Sequence, residues 1–281
     1  MKKALVFSVL FFIATRIAFS GVSLKLTGGM AFLLWNDYNT GGQGIYDYYQ
    51  FAYGNMTGQF SPLRLGTNFG GEVAIPIGKS MAVGLGLGYI HFSRDSQFGY
   101  QWTFFSSEET LKPNIRLIPL TLNVHYYTAI RPHLKADYFA GAGYYLLKFD
   151  HDWSVQTSFF SYESTQTFES NTGNLGFQAG IGLEYELSTQ IALVFQVAGQ
   201  SIKFTEIKGT WNEKGSWFMG NWEETSDTAY FWYYERRDSG NAFAQIAFSA
   251  EKPSEIEYAV IRKGVLNLSG ISAAFGLKFF F

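Results

Sequence analysis

Along most of the chain, apolar and polar positions alternate with a period of two. The clearest stretch is 173–187. There Leu175, Phe177, Ala179, Ile181, Leu183, Tyr185 and Leu187 alternate with Asn174, Gly176, Gln178, Gly180, Gly182, Glu184 and Glu186. Such a period sends the two sets to opposite faces of a β-strand. Seven further segments read the same way, at 21–35, 63–75, 81–93, 115–127, 135–149, 191–205 and 265–281. In 81–93, for example, Met81, Val83, Leu85, Leu87 and Tyr89 oppose Ala82, Gly84, Gly86 and Gly88.

The connections come in two kinds that alternate strictly. Residues 76–80, 128–134 and 188–190 are short, whereas 36–62, 94–114, 150–172 and 206–264 are long. One end of the predicted barrel therefore carries all the tight turns, as when short periplasmic turns oppose long external loops. The segments run to 13–17 residues, more than the roughly 9–11 a tilted strand needs to cross a bilayer, so they should project above it. A soluble eight-stranded barrel shows the same alternation, and the non-apolar face separates the two. From Ser80 to Ser93 no residue is charged. A face of Ala82 and three glycines is a poor soluble exterior but suits the cramped inside of a small barrel. The apolar set is thus predicted to face lipid. The expected fold is an all-β, antiparallel up-and-down transmembrane β-barrel of eight strands, with ten as the alternative if 241–250 pairs with 229–235.

Composition narrows the function classes. Charged residues make up 16% of 281 positions, Gly numbers 30 and aromatics reach 19%, which excludes a disordered chain. A net charge of −2 argues against a nucleic-acid partner. The absence of Cys removes disulfide scaffolds and thiol chemistry. At the start, Lys2 and Lys3 precede an apolar run from Ala4 to Ala14, and Ala18-Phe19-Ser20 offers a cleavage site before Gly21. This predicts an export signal at 1–20 and a barrel domain at 21–281.

The final FGLKFFF, with apolar residues alternating from Phe275 to Phe281, resembles the C-terminal signature of bacterial outer-membrane barrels. RLIPLTLNVHYY at 116–127, KADYFAGAGYYL at 135–146 and GFQAGIGLEYEL at 176–187 resemble the small outer-membrane barrel family of OmpA, OmpW and OmpX relatives. The resemblance implies an outer-membrane location and a monomer set among outer-membrane lipid and lipopolysaccharide. It also implies a Phe281 terminus read by the assembly machinery. It further implies a structural or porin-like role passing small solutes, hydrophobic ones included, with no enzymatic activity. No peptidoglycan-binding segment is expected after the predicted last strand, which would differ from OmpA itself, and the fourth loop is longer than is usual in the family.

Candidate chemistry is sparse. Inward parity at the tight-turn end gathers Lys25, Glu72, Asp137, Glu184, Glu186 and Lys278. These form either an ion-pair plug or a charged constriction. His125 should be an interior group beside Asn123. His91 and Ser93 share the lipid-facing side, and at those two positions alone the chain is similar to lipid A deacylase barrels, with Arg94 standing where an Asn is expected. His151 lies between Asp150 and Asp152, the nearest approach to the mouth of an omptin-like protease. No metal-ligating cluster or cofactor motif is evident; the Gly-x-Gly pairs repeat inside strands, which a dinucleotide fingerprint does not. All seven Trp, at 35, 102, 153, 211, 217, 222 and 232, fall at the external rim or in long loops. Loop aromatics, Trp211, Trp217, Trp222 and Trp232 among them, either pack together above the membrane or form a surface for binding or adhesion.

Overall fold

The computed structural model describes residues 21–34, 36–102, 104–158, 161–254 and 258–281. The expected export signal and Trp35 lie outside these residues.

Eight strands close into an antiparallel ring. They are β1 (Ser23–Leu33), β3 (Leu65–Pro76), β4 (Met81–Ser93), β6 (Ser106–Arg131), β7 (Leu134–Thr157), β8 (Tyr162–Glu186), β9 (Ile191–Ser201) and β16 (Gly270–Phe280). Each pairs with the next in that order, and β16 returns to β1 from Ser23 opposite Phe280 to Leu33 opposite Gly270. All eight segments read from the alternation are in the wall. The hairpin foreseen near 229–250 exists but lies outside the ring. Closure pairs every wall strand on both sides, as an irregular or open edge in lipid could not.

The two faces of the wall exchange character partway along. In the lower half of β6, Leu120, Leu122, Val124 and Tyr126 point outward and are exposed, while Thr121, Asn123 and His125 are buried inside. Above Pro119 the order reverses: Leu111, Ile115 and Leu117 are buried, and Lys112, Asn114 and Arg116 face out. β7 repeats this, with outward Tyr138, Tyr144 and Leu146 giving way to Lys148, Asp150 and Asp152, and inward Asp137 giving way to Tyr145, Leu147 and Phe149. On β8 the outer apolar run ends at Leu175, which is 69% exposed. An apolar belt of this extent is far larger than a soluble monomer exposes; it is the lipid-facing surface of a transmembrane barrel. Above the belt the same strands become an ordinary water-soluble structure with an apolar interior.

That upper structure is a folded head, where the sequence suggested loops. β6, β7 and β8 run on through the predicted loops 94–114 and 150–172. The sheet then widens through β5 (Ser96–Gln101) and β2 (Met56–Gln59) on one side. On the other side it widens through β11 (Lys208–Trp217), β12 (Gly220–Asp238), β13 (Asn241–Ser249) and β14 (Tyr258–Lys263). A short separate pair, β10 (Lys203–Phe204) with β15 (Leu266–Asn267), joins the segments above β9 and β16. Residues 37–53, also predicted to be loop, form helix α1 (Asp37–Tyr53), capped by the Asn36 side chain, which accepts the Asn39 N–H at 2.7 Å. Gly54, at φ 77°, ends it. The helix packs on β13 through glycine: a Cβ on Gly44 would lie 1.9 Å from the Ala244 carbonyl oxygen. One apolar cluster fills the head, including Tyr38 and Ile45 of α1, Phe98, Leu111, Phe149, Phe168, Phe231, Ile246 and Phe248.

Candidate functional site

Strand register brings five of the six predicted luminal charges together. Lys25 lies opposite Glu72 on β3 and opposite Lys278 on β16. Its ammonium is 2.8 Å from Glu72 Oε1 and 4.0 Å from Asp137. Lys278 Nζ donates to Glu184 at 2.7 and 3.0 Å and to the Tyr127 hydroxyl at 3.1 Å. His125, fully buried, bridges the network: Nδ1 is 2.9 Å from Asp137 Oδ1 and Nε2 is 3.1 Å from Glu72 Oε1. Asn123 donates to Glu72 at 2.5 Å and accepts from Gln178 at 2.8 Å. Gly84 makes room, because a Cβ there would sit 2.8 Å from the Glu72 carboxyl carbon. Glu186 is not part of the cluster. It has inward parity but lies past the last ring of buried residues, at the turn rim, where it pairs with Lys135 at 2.5 Å.

Above the network lies a cavity of about 80 Å³ bordered by Thr27, Thr121, Gln178, Gln196 and Gln200. Above that, Ile90, Leu117 and Tyr145 begin the apolar core of the head. The described interior is therefore filled at two levels, by ion pairs below and by hydrocarbon above, with room for a few water molecules between. In so narrow a space each charge is held by an opposite charge and a hydrogen bond, which is what removal from water demands.

Among the described acidic, basic and histidine side chains the head buries Glu109 and His151, and sequence parity did not single out the first of them. Glu109, 2% exposed, accepts from Trp153 Nε1 at 3.1 Å and sits beneath Tyr49 of α1. Burial raises its carboxyl to about 7, although hydrogen bonds from Tyr49 and Trp153 oppose the shift. His151 packs edge-on to Tyr38 and 4.6 Å from the Phe248 ring. Burial lowers it to about 3, so it is a neutral core group. Its outward neighbours Asp150 and Asp152 point to the other side of the strand and do not join it in a mouth.

The remaining candidates are spread out. His91 is on the outer face as expected, but its Nε2 engages Asn114 at 2.9 Å, not Ser93. Trp232 is buried and donates to the Ser249 carbonyl at 3.1 Å. Trp211 packs against the head core. Trp222 lies across Gly215 and stacks on Tyr162 with centroids 5.5 Å apart. Trp217 is exposed at a hairpin tip. Most loop aromatics thus build the head, and only a few are left at its surface. Phe281 is hydrogen-bonded at the seam to the two residues that precede β1, its carbonyl accepting from the Gly21 N–H and its N–H donating to the Val22 carbonyl. Among the described residues no group of three His, Asp or Glu side chains is arranged to hold a metal. A groove of about 350 Å³ runs between α1, β13 and residues 60–64, bordered by Gln43, Asp47, Arg64 and Phe243.

Three solved structures are similar over nearly the whole chain. The outer membrane protein OprG from Pseudomonas aeruginosa aligns at 10% identity over 93% of this chain and 96% of its own, with TM-score 0.40. A major outer membrane protein from Thermus thermophilus aligns at 13% identity over 93% and 98%, with TM-score 0.38. The outer membrane protease OmpT from Escherichia coli aligns at 8% identity over 93% and 97%, with TM-score 0.38. No protein-family profile and no curated protein sequence matches the chain.

Proposed function

We propose that this chain is an integral outer-membrane barrel whose lumen is a structural plug and whose external head is the working part, binding at the cell surface. The observation that carries this reading is the twice-filled interior. Passage of a solute would require breaking the ion pairs around Lys25, Glu72, Glu184 and Lys278 and also opening the apolar core above them. Eight strands leave an interior just wide enough for side chains, and here side chains use nearly all of it. The head, by contrast, is a rigid sheet-and-helix body carried clear of the lipid. That form supports recognition better than it supports permeation. The barrel sits as a monomer with lipopolysaccharide around its outer belt, and the Phe281 seam is the part presented to the assembly machinery.

Planar-bilayer recording of the folded protein tests the first half: no discrete conductance steps are expected. Stable steps that change on Glu72→Gln or Lys278→Met would overturn the plug. The second half is tested on cells displaying the chain, by comparing their adhesion to immobilised membranes, glycans and matrix proteins with that of cells lacking it. Equal adhesion on every surface would refute a binding role.

A further inference from the structure

Two turns at the far end of the head carry exposed apolar side chains with no charge among them. One lies between β5 and β6 and carries Trp102, Phe104 and Phe105; Trp102 is 55% and Phe104 85% exposed. The other joins β11 to β12 with Trp217, Phe218 and Met219 exposed to 46%, 63% and 69%. Edge-on ring contacts, Trp102 on Phe105 at 5.4 Å and Trp217 on Phe218 at 5.3 Å, stiffen each tip.

Register puts the tips at nearly one height. Ser106 at the base of the first turn is tied to Ser158 at the end of β7. Thr157 is opposite Tyr162, and Glu163 is opposite Ser216, one residue before Trp217. The outer apolar belt ends at Ile118 on β6 and Leu175 on β8, a dozen or so residues lower. At about 3.3 Å per residue and a tilt near 40°, the tips stand about 30 Å above the protein's own bilayer. They cannot dip back into it.

We infer that these tips insert into the interface of a second, apposed lipid bilayer of zwitterionic character. Separate tips at one level match a plane and not a pocket for a single side chain. Trp and Phe on uncharged turns favour the boundary between headgroups and acyl chains. The stems beneath bear Glu108, Glu163, Glu223 and Glu224 against Lys214, which opposes approach to an anionic surface and leaves a neutral one. This inference rests on the surface-binding reading and names its target.

The test uses the full barrel in nanodiscs, mixed with phosphatidylcholine vesicles whose acyl chains are brominated. Tryptophan emission should be quenched by the vesicle lipid. Trp217→Ser/Phe218→Ser/Met219→Ser should weaken vesicle association at least tenfold, and adding Trp102→Ser/Phe104→Ser should abolish it. The heat-dependent gel mobility of the barrel confirms that each variant is folded. Absence of quenching, unchanged association in the five-residue variant, or tighter binding to phosphatidylglycerol than to phosphatidylcholine would each overturn the inference. If cells displaying the five-residue variant still adhere as the parent does, the lipid target is wrong while the surface-binding reading stands. If no surface is bound even by the parent, that reading has failed first.

Discussion

Replacing Glu109 by Gln should make the head more stable at alkaline pH and leave it unchanged in acid. The carboxyl is raised from 4.5 to about 7 by burial beneath α1. A raised carboxyl means that the folded head binds the proton more tightly than the opened head does. The cost of burying the charge is therefore fully present above pH 7, falls as pH drops, and is gone below 4.5. At 1.36 kcal/mol per unit the shift corresponds to about 3 kcal/mol, or roughly three hundredfold in the opening equilibrium. His151 acts in the other direction. Its depressed value makes the folded head favour the neutral ring, so stability is lost as pH falls below 6.5. The two effects nearly cancel between pH 6.5 and 4.5 in the parent, so the difference between variant and parent isolates Glu109. Amide hydrogen exchange of α1, expressed as protection relative to intrinsic rates, reads it directly. The variant should be protected about three hundredfold more at pH 9, with the difference shrinking to nothing near pH 4.5. A difference that does not depend on pH would refute the assignment of that cost to a buried, ionised Glu109.

Further outcomes follow from the same geometry. His151→Phe should keep the aromatic packing and remove the opposing His151 effect, so that head protection rises as pH falls from 7 to 4.5 where the parent's stays nearly level, which the same exchange measurement follows. Gly44→Ala should unseat α1 from β13 at a cost of about 1–3 kcal/mol. Limited proteolysis would then cut near 37–53 while the heat-resistant barrel mobility persists. Lys278→Met should leave Glu184 buried and unpaired, costing about 3–5 kcal/mol and lowering the urea midpoint of folding in detergent. Adding Glu184→Gln should recover much of it. His91→Ala should leave the mass spectrum of the host's lipid A unchanged, because His91 is engaged with Asn114 and not with Ser93.

The wall was legible because two solvents impose the period. Leu85 and Leu87 must meet lipid while Gly84 and Gly86 must fit a crowded lumen, so the alternation is strong wherever the bilayer is. Above the belt the contrast weakens, since water lies outside and apolar contacts inside. In 106–114 the inward set includes Ser107 and Glu109 beside Leu111, so the stretch read as loop although it continues β6. Helix α1 was hidden for another reason. Gly41, Gly42 and Gly44 are poor helix formers; Gly41 and Gly44 are tolerated because the helix must approach β13, a contact some two hundred residues away in sequence, and Gly42 because the Phe60 ring lies against it.

For the candidate site, parity correctly turned Lys25, Glu72, Asp137, Glu184 and Lys278 inward, since side-chain direction along a strand is a local property. It turned Glu186 inward as well, but could not show that this residue lies beyond the buried ring, at the turn rim. The sequence alone therefore determined the eight wall segments, their antiparallel succession and the lipid-facing set, all of which follow from a two-residue repeat read against its surroundings, while strand closure decided that the 229–250 hairpin stays outside the ring. Tertiary structure decided which charges pair, that His125 bridges two carboxylates, that the interior is filled twice, and that the loops form one head. Those outcomes depend on register and closure, which set the relative heights of strands and so arise only when distant segments meet.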